Sequence, residues 1–178
     1  MRKRVRRIAN VKSPPEAWIA GIREYVMSIF KCGSQSIHGP SHWQRVETFG
    51  LNIAQSSGAD LMVVRLFALL HDSCRQDDGA DLEHGPRAAE MLDRIVPAIF
   101  TLDRDRFELL NQAIRLHTSG LTTENPTIGT CWDADRLDIV RVGLTPNAQY
   151  MSTIAGKNIA ASVAPQLSAP RGSGGKAL

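Results

Sequence analysis

"FALLHDSCRQDD", residues 67–78, carries the apolar run VVRLFALL (63–70) straight into a His-Asp pair. A helix that only fills a core has no need of an imidazole beside a carboxylate at its buried end. Buried polar groups are costly unless they find partners. Whatever satisfies His71 and Asp72 must therefore come from other segments of the chain.

Those segments read as helices. Pro14-Pro15 opens one with Trp18, Ile22, Val26 and Ile29 at helical spacing. Gly39-Pro40-Ser41 starts a second, from about 42 to 56, which stops at Ser57-Gly58. Asp60 caps a third, from 61 to about 72. The polar loop SCRQDDGADLE (73–83) leads to a fourth over roughly 84–95, ending before Pro97. A fifth covers about 104–117, a sixth runs from near Cys131 to about Val142, and MSTIAGKNIAASVA (151–164) can form one more. Strand signals are scarce: no Asn-Gly or Asp-Gly turn joins alternating stretches, and no glycine fingerprint for phosphates is present. The expected fold is all-α, a compact single-domain bundle of six to seven helices over 14–164. A basic, flexible tail (1–13) and a small, polar one (165–178) are expected to flank it.

Residues three, four or seven apart share a helix face. His42 lines up with Val46, Phe49 and Ile53; His71 with Val64, Phe67 and Ala68. His84 lines up with Ala88, Met91 and Ile95; His117 with Phe107, Leu110 and Ile114. Asp135 stacks with Ile139 and Val142. One inward histidine is usually a hydrogen-bonded core residue. Four, with inward carboxylates, form the donor set that a divalent transition metal requires. No cysteine joins them, which disfavours a closed structural zinc site. At the end of a helix the geometry relaxes, so both side chains of His71-Asp72 can reach one cluster.

The net charge of +3 belongs to the N-terminus. Arg2, Lys3, Arg4, Arg6 and Arg7 supply five charges, and removing those five from +3 leaves −2 for the remainder. A solvated tail is the default reading, and a nucleic-acid contact through it is the secondary one. No apolar run is long enough for a membrane span, and no secretory signal follows the basic start. Three cysteines at wide spacings form no disulfide framework, and a cytoplasmic setting is expected.

The order HWQRV (His42), LLHDS (His71-Asp72) and DADRLD (Asp135) resembles the HD-domain metal-dependent phosphohydrolase superfamily over about residues 36–143. The resemblance implies that His42, His71, Asp72 and Asp135 are metal ligands. EHGPRAAEML (His84) and AIRLHTSG (His117) resemble the extra pair of the two-metal branches, in which the HD aspartate bridges the ions. The chain has no GYP tripeptide after His117, reading TSGLTTENP instead, so cyclic dinucleotide hydrolysis is not implied. The implied activity is hydrolysis of a phosphate monoester or diester of a nucleotide or other small phosphorylated metabolite.

One or two divalent ions (Mn, Fe, Co, Ni, Zn or Mg) are the expected cofactor, activating water for attack on phosphorus. Arg75, Arg136 and Lys157 are candidates for binding the substrate phosphate. His38 is a candidate proton donor or phosphate contact, or a partner that orients a ligand. Asp138 is read either as orienting a ligand or pairing with Arg141, or as part of a solvated face. Two other functions remain open on the same ligands: a di-iron oxygenase, and a non-catalytic module that binds metal or nucleotide. The rim is expected from the 73–83 loop and from TSGLTTENPTIGT (118–130). Oligomeric state leaves no trace in the sequence.

Overall fold

The computed structural model describes residues 13–96, 98–119 and 121–168, with side-chain surroundings as far as residue 163. The basic start over 1–12 and the end over 169–178 lie outside the described residues. Among the described residues seven α-helices occur in order: α1 (Glu16–Ile29), α2 (Pro40–Ser57), α3 (Leu61–Leu70), α4 (His84–Ile95), α5 (Arg104–Leu116), α6 (Pro126–Leu137) and α7 (Ile154–Ser168). Two short 3-10 turns, Asp138–Val142 and Ala148–Tyr150, link α6 to α7. No strand occurs among the described residues, as the periodicity predicts, and none of the helices is long and apolar enough to cross a membrane.

The apolar run before His71 is the centre of the bundle. Eight of the ten residues of α3 are buried, and α1, α2, α5 and α6 all pack against it. Arg65 is the charged exception, and three partners satisfy it: Glu47, Glu16 and Ser13, at 2.5, 2.9 and 2.7 Å. Asp60 caps the helix by accepting from the Met62 and Val63 amides. At the other end His71 still has helical dihedrals, and the chain then turns at once, with Ser73 N donating to the Leu70 carbonyl. Asp72 is thus carried on a turn anchored by a fully packed helix.

The sixth helix departs from expectation. It begins at Pro126 instead of near Cys131, because Asn125 accepts from the Thr127 and Ile128 amides and Pro126 suits a first turn. Thr127, Ile128, Gly129 and Thr130 are therefore buried helix, not rim. The α-helix also stops at Leu137 and tightens into a 3-10 turn, so Asp135 does not share one continuous face with Ile139 and Val142. Val142 is exposed. The expected C-terminal tail overlaps the last turn of α7, which extends to Ser168.

α2 and α3 approach closely at Gly50. A Cβ built there would stand 2.6 Å from Val64 Cγ1, inside van der Waals contact. Gly50→Ala is expected to cost about 1–3 kcal/mol by overpacking. In a Val64→Ala background the same change should cost much less. Equal penalties in both backgrounds, measured by chemical denaturation, would show that the close approach is not the cause.

Candidate metal centre

Three helices deliver their C-terminal ends to one place. His71 follows the last residue of α3, His117 follows the last of α5, and Asp135 sits in the last turn of α6. α2 and α4 arrive with their first turns, bringing His42 and His84. His42, His71, His84, His117 and Asp72 are buried, and the Asp135 side chain is one-fifth exposed. The centre thus has a floor of histidines and an opening on the Asp135 side.

All four imidazoles are held the same way round. His42 Nδ1 lies 2.7 Å from Asp138 Oδ2, His71 Nδ1 3.1 Å from the Phe67 carbonyl, and His117 Nδ1 2.7 Å from the Ile114 carbonyl. His84 Nδ1 meets the Asp81 carbonyl. Each Nδ1 faces an oxygen that can only accept, so each Nδ1 carries the proton and each Nε2 presents a lone pair inward. Those lone pairs meet: His42 and His71 Nε2 are 3.1 Å apart, and His84 and His117 Nε2 are 2.7 Å apart. Paired lone pairs at such distances require a proton or a cation between them.

Asp72 stands between the two pairs. Its Oδ1 is 2.9 Å from His84 Nε2 and 3.6 Å from His117 Nε2. Its Oδ2 is 3.5 Å from His42 Nε2 and 3.6 Å from His71 Nε2. Asp135 Oδ1 completes the second pair, 3.3 Å from His42 and 3.7 Å from His71. Three overlapping groups therefore have donor atoms close enough to hold an ion: His42, His71 and Asp135; Asp72, His84 and His117; and His38, His42 and Asp72. The donor chemistry, neutral imidazoles with carboxylates and no thiolate, fits a divalent metal.

The electrostatics agree. Burial pushes His71 down to about 4, keeping it a neutral donor. Burial also pulls on His42, but Asp135 and Asp138 outweigh it and raise that imidazole above its ordinary value. Burial at His117 is likewise outweighed by Asp72. For Asp72, burial alone would raise the carboxyl; His71, His117, His38 and His84 instead hold it well below the usual carboxylate range. Asp135 is held low in the same manner by His42 and His71.

The residues around the cluster differ in part from their expected places. Asp138 is fully buried and binds His42 Nδ1 on one oxygen and Arg45 Nε on the other, at 2.6 Å; the solvated-face reading is excluded. Arg141 caps this network through the carbonyls of Ile37 and Asp138. His38 Nδ1 lies 3.0 Å from Asp72 Oδ2 and 3.2 Å from Arg141 Nη2. One ring nitrogen cannot donate to the first and accept from the second together. The shorter, charge-assisted contact assigns the proton to Nδ1, facing Asp72.

Arg75 is buried against Asp72, 3.3 Å away, and ties down its own loop through the Gly79 and Asp77 carbonyls. Its guanidinium braces the turn. Arg136 donates to the Leu121 and Tyr150 carbonyls, both at 2.6 Å, and lies over the Trp132 ring. Lys157 is exposed on α7 and makes no side-chain hydrogen bond or ion pair among the described residues. Sequence reading gave no role to Arg45, Asp81 or Arg87. Asp81 orients His84 through its carbonyl, while its carboxylate, pushed down to about 2 by Arg87, also receives the Gln76 amide. Spacing offers a hint only for Arg45, one turn after His42 on a shared helix face.

No protein-family model and no curated protein matches the chain. Among solved structures, a predicted HD superfamily hydrolase from an uncultured Thermotogales bacterium is similar, with a TM-score of 0.67 and 25% identity, over 84% of this chain and 86% of that one. The all-helical fold is therefore HD-like, and the His/Asp clusters are consistent with an HD domain.

Asp138→Asn is expected to weaken metal binding about tenfold or more, by loosening the orientation of His42 without disturbing helicity. Chelator competition alongside circular dichroism tests this, and unchanged affinity would remove Asp138 from the network. A metal must displace the protons that His42 and His117 retain above the ordinary imidazole value. Affinity should therefore rise with pH from about pH 6 to about 8 and fall on acidification. A flat profile would contradict that assignment.

Proposed function

We propose that this HD-like chain is a metal-dependent phosphohydrolase acting on a small phosphate ester, a nucleotide or another phosphorylated metabolite. The observation that carries the reading is the shared Asp72, with two imidazole pairs on its two oxygens and every Nε2 turned inward. His42, His71 and Asp135 would hold one divalent ion, and Asp72, His84 and His117 a second. Such ions, when bound, lower the pKa of water and neutralise charge on a phosphoryl group.

The chain's own groups supply the rest. Hydrolysis forms a bond from the water oxygen to phosphorus and breaks the ester P–O bond, and the departing oxygen needs a proton. His38 would carry it on Nε2, taking the proton that the attacking water gives up, while its Nδ1–H stays on Asp72 Oδ2 at the less buried edge of the cluster. Asp138 and the Phe67, Ile114 and Asp81 carbonyls hold the imidazoles fixed, so little reorganisation accompanies the reaction. Arg75 keeps the turn carrying Asp72 in place. Burial of the four histidines keeps bulk water from the floor of the cluster.

Elemental analysis of the purified protein beside His84→Ala tests the reading. About two equivalents of divalent metal falling to about one is the expected result. Metal-dependent phosphate release from a panel of nucleotides and other phosphate esters should accompany it. No metal in either protein after reconstitution would sink the proposal. Oxygen consumption by the iron-loaded protein, without phosphate release, would favour the oxygenase.

A further inference from the structure

A cleft of about 390 Å³ opens beside the cluster, and His117 itself forms part of its wall. It thus borders the metal centre at His117, unlike the larger groove of about 830 Å³ at the opposite ends of α3, α5 and α6, which the three capping residues line. Its walls are chiefly apolar: Leu121, Ile139, Pro146, Tyr150 and Met151. Besides His117, Arg136 and the neutral Thr118, Thr145 and Asn147 supply the polar groups, and no carboxylate lines it among the described residues.

Two of these walls keep large apolar side chains in water. Leu121 is 76% exposed and Tyr150 56% exposed. Isolated exposed residues mean little, but two that line one cleft bordering a histidine cluster form a surface suited to a ligand. Arg136 holds them together. From a position next to Asp135 it reaches the Leu121 and Tyr150 carbonyls with one Nη1, while its guanidinium lies 5.5 Å from the centre of the Trp132 ring. The sequence suggested a phosphate contact for Arg136. Its hydrogen bonds instead make it a positioning residue that spans the cleft.

We infer that this cleft receives the leaving group of the substrate, and that the substrate class is phosphate esters whose alcohol carries a flat aromatic body. Esters of sugars, other polyols and short alcohols are poorly matched. Their hydroxyls would lose water against Leu121, Ile139, Pro146 and Met151 and find few partners beyond Thr118, Thr145 and Asn147, whereas an aromatic ring gains by leaving water there. The inference rests on the phosphohydrolase reading for the phosphate end and assigns the other end.

Phosphonates separate the two questions, because their P–C bond survives and binding is read without turnover. The full chain is loaded with Mn²⁺ and titrated calorimetrically with phenylphosphonate and with methylphosphonate. Phenylphosphonate is expected to bind about tenfold tighter or better. In the double variant Leu121→Asn, Tyr150→Ala the preference should largely vanish while methylphosphonate affinity holds. Both side chains are exposed, and both backbone carbonyls used by Arg136 remain, so the fold should survive. Equal affinities in the wild type, or a preference that outlasts the double substitution, would overturn the cleft assignment alone. Binding of neither phosphonate would overturn the phosphohydrolase reading together with it.

Discussion

Both halves of the histidine cluster depend on the Asp72 carboxylate. An isolated buried carboxylate would take up a proton, because the interior cannot solvate its charge. Here one oxygen faces His84 and His117, and the other faces His42, His71 and His38. The imidazoles keep Asp72 ionised while their Nε2 atoms hold protons; once those protons leave, the carboxylate and the Nε2 lone pairs repel and need a cation between them. Arg75 adds a fixed positive charge 3.3 Å from Oδ1. Each charge is tolerable only because partners stand beside it, and Asp72 couples the two halves.

Helix direction supports it. The N-caps of α3, α5 and α6 (Asp60, Asp103 and Asn125) line one groove at the far end of the bundle. The opposite ends of the same helices carry His71, His117 and Asp135. Partial negative charge from three C-termini therefore accumulates where a cation is proposed, in addition to two carboxylates. The close approaches that allow this need small residues. Gly85, directly after His84, is one: a Cβ there would stand 2.8 Å from the Ile114 carbonyl, the group that orients His117. The His-Gly pair thus serves ligand and packing together.

Much of this was legible before the structure. An amphipathic period of 3.6 residues survives in any helix that buries one face, so the helix count and the inward histidines followed from spacing alone. Residues brought together across the fold were harder to see. Spacing leaves Asp138 open between orienting a ligand or pairing with Arg141 and joining a solvated face, and the 3-10 turn sets it against His42. The start of α6 was misplaced because the Asn125-Pro126 cap was taken for rim loop. Arg75 and Arg136 were legible as cations near ligands, but their hydrogen bonds run to loop carbonyls that no spacing rule names. Pairwise periodicity reads faces; it does not read who meets whom across a turn.

The backbone at the helix ends also decides the chemistry of the imidazoles. The carbonyls of a helix's last turn keep lone pairs open to side chains beyond it. In α3 the Phe67 carbonyl accepts from the His71 amide and is also met by His71 Nδ1, and in α5 the Ile114 carbonyl is met by His117 Nδ1. Carbonyls cannot donate, so they permit only the tautomer with the proton on Nδ1. A histidine placed just past a helix C-terminus thus has its inward nitrogen chosen by the helix itself, with no second side chain required. His42 and His84 stand at helix starts, where spare groups are amides and not carbonyls, and there Asp138 and the Asp81 carbonyl of the preceding loop take the same task. The difference in partners follows from the direction in which each helix enters the site.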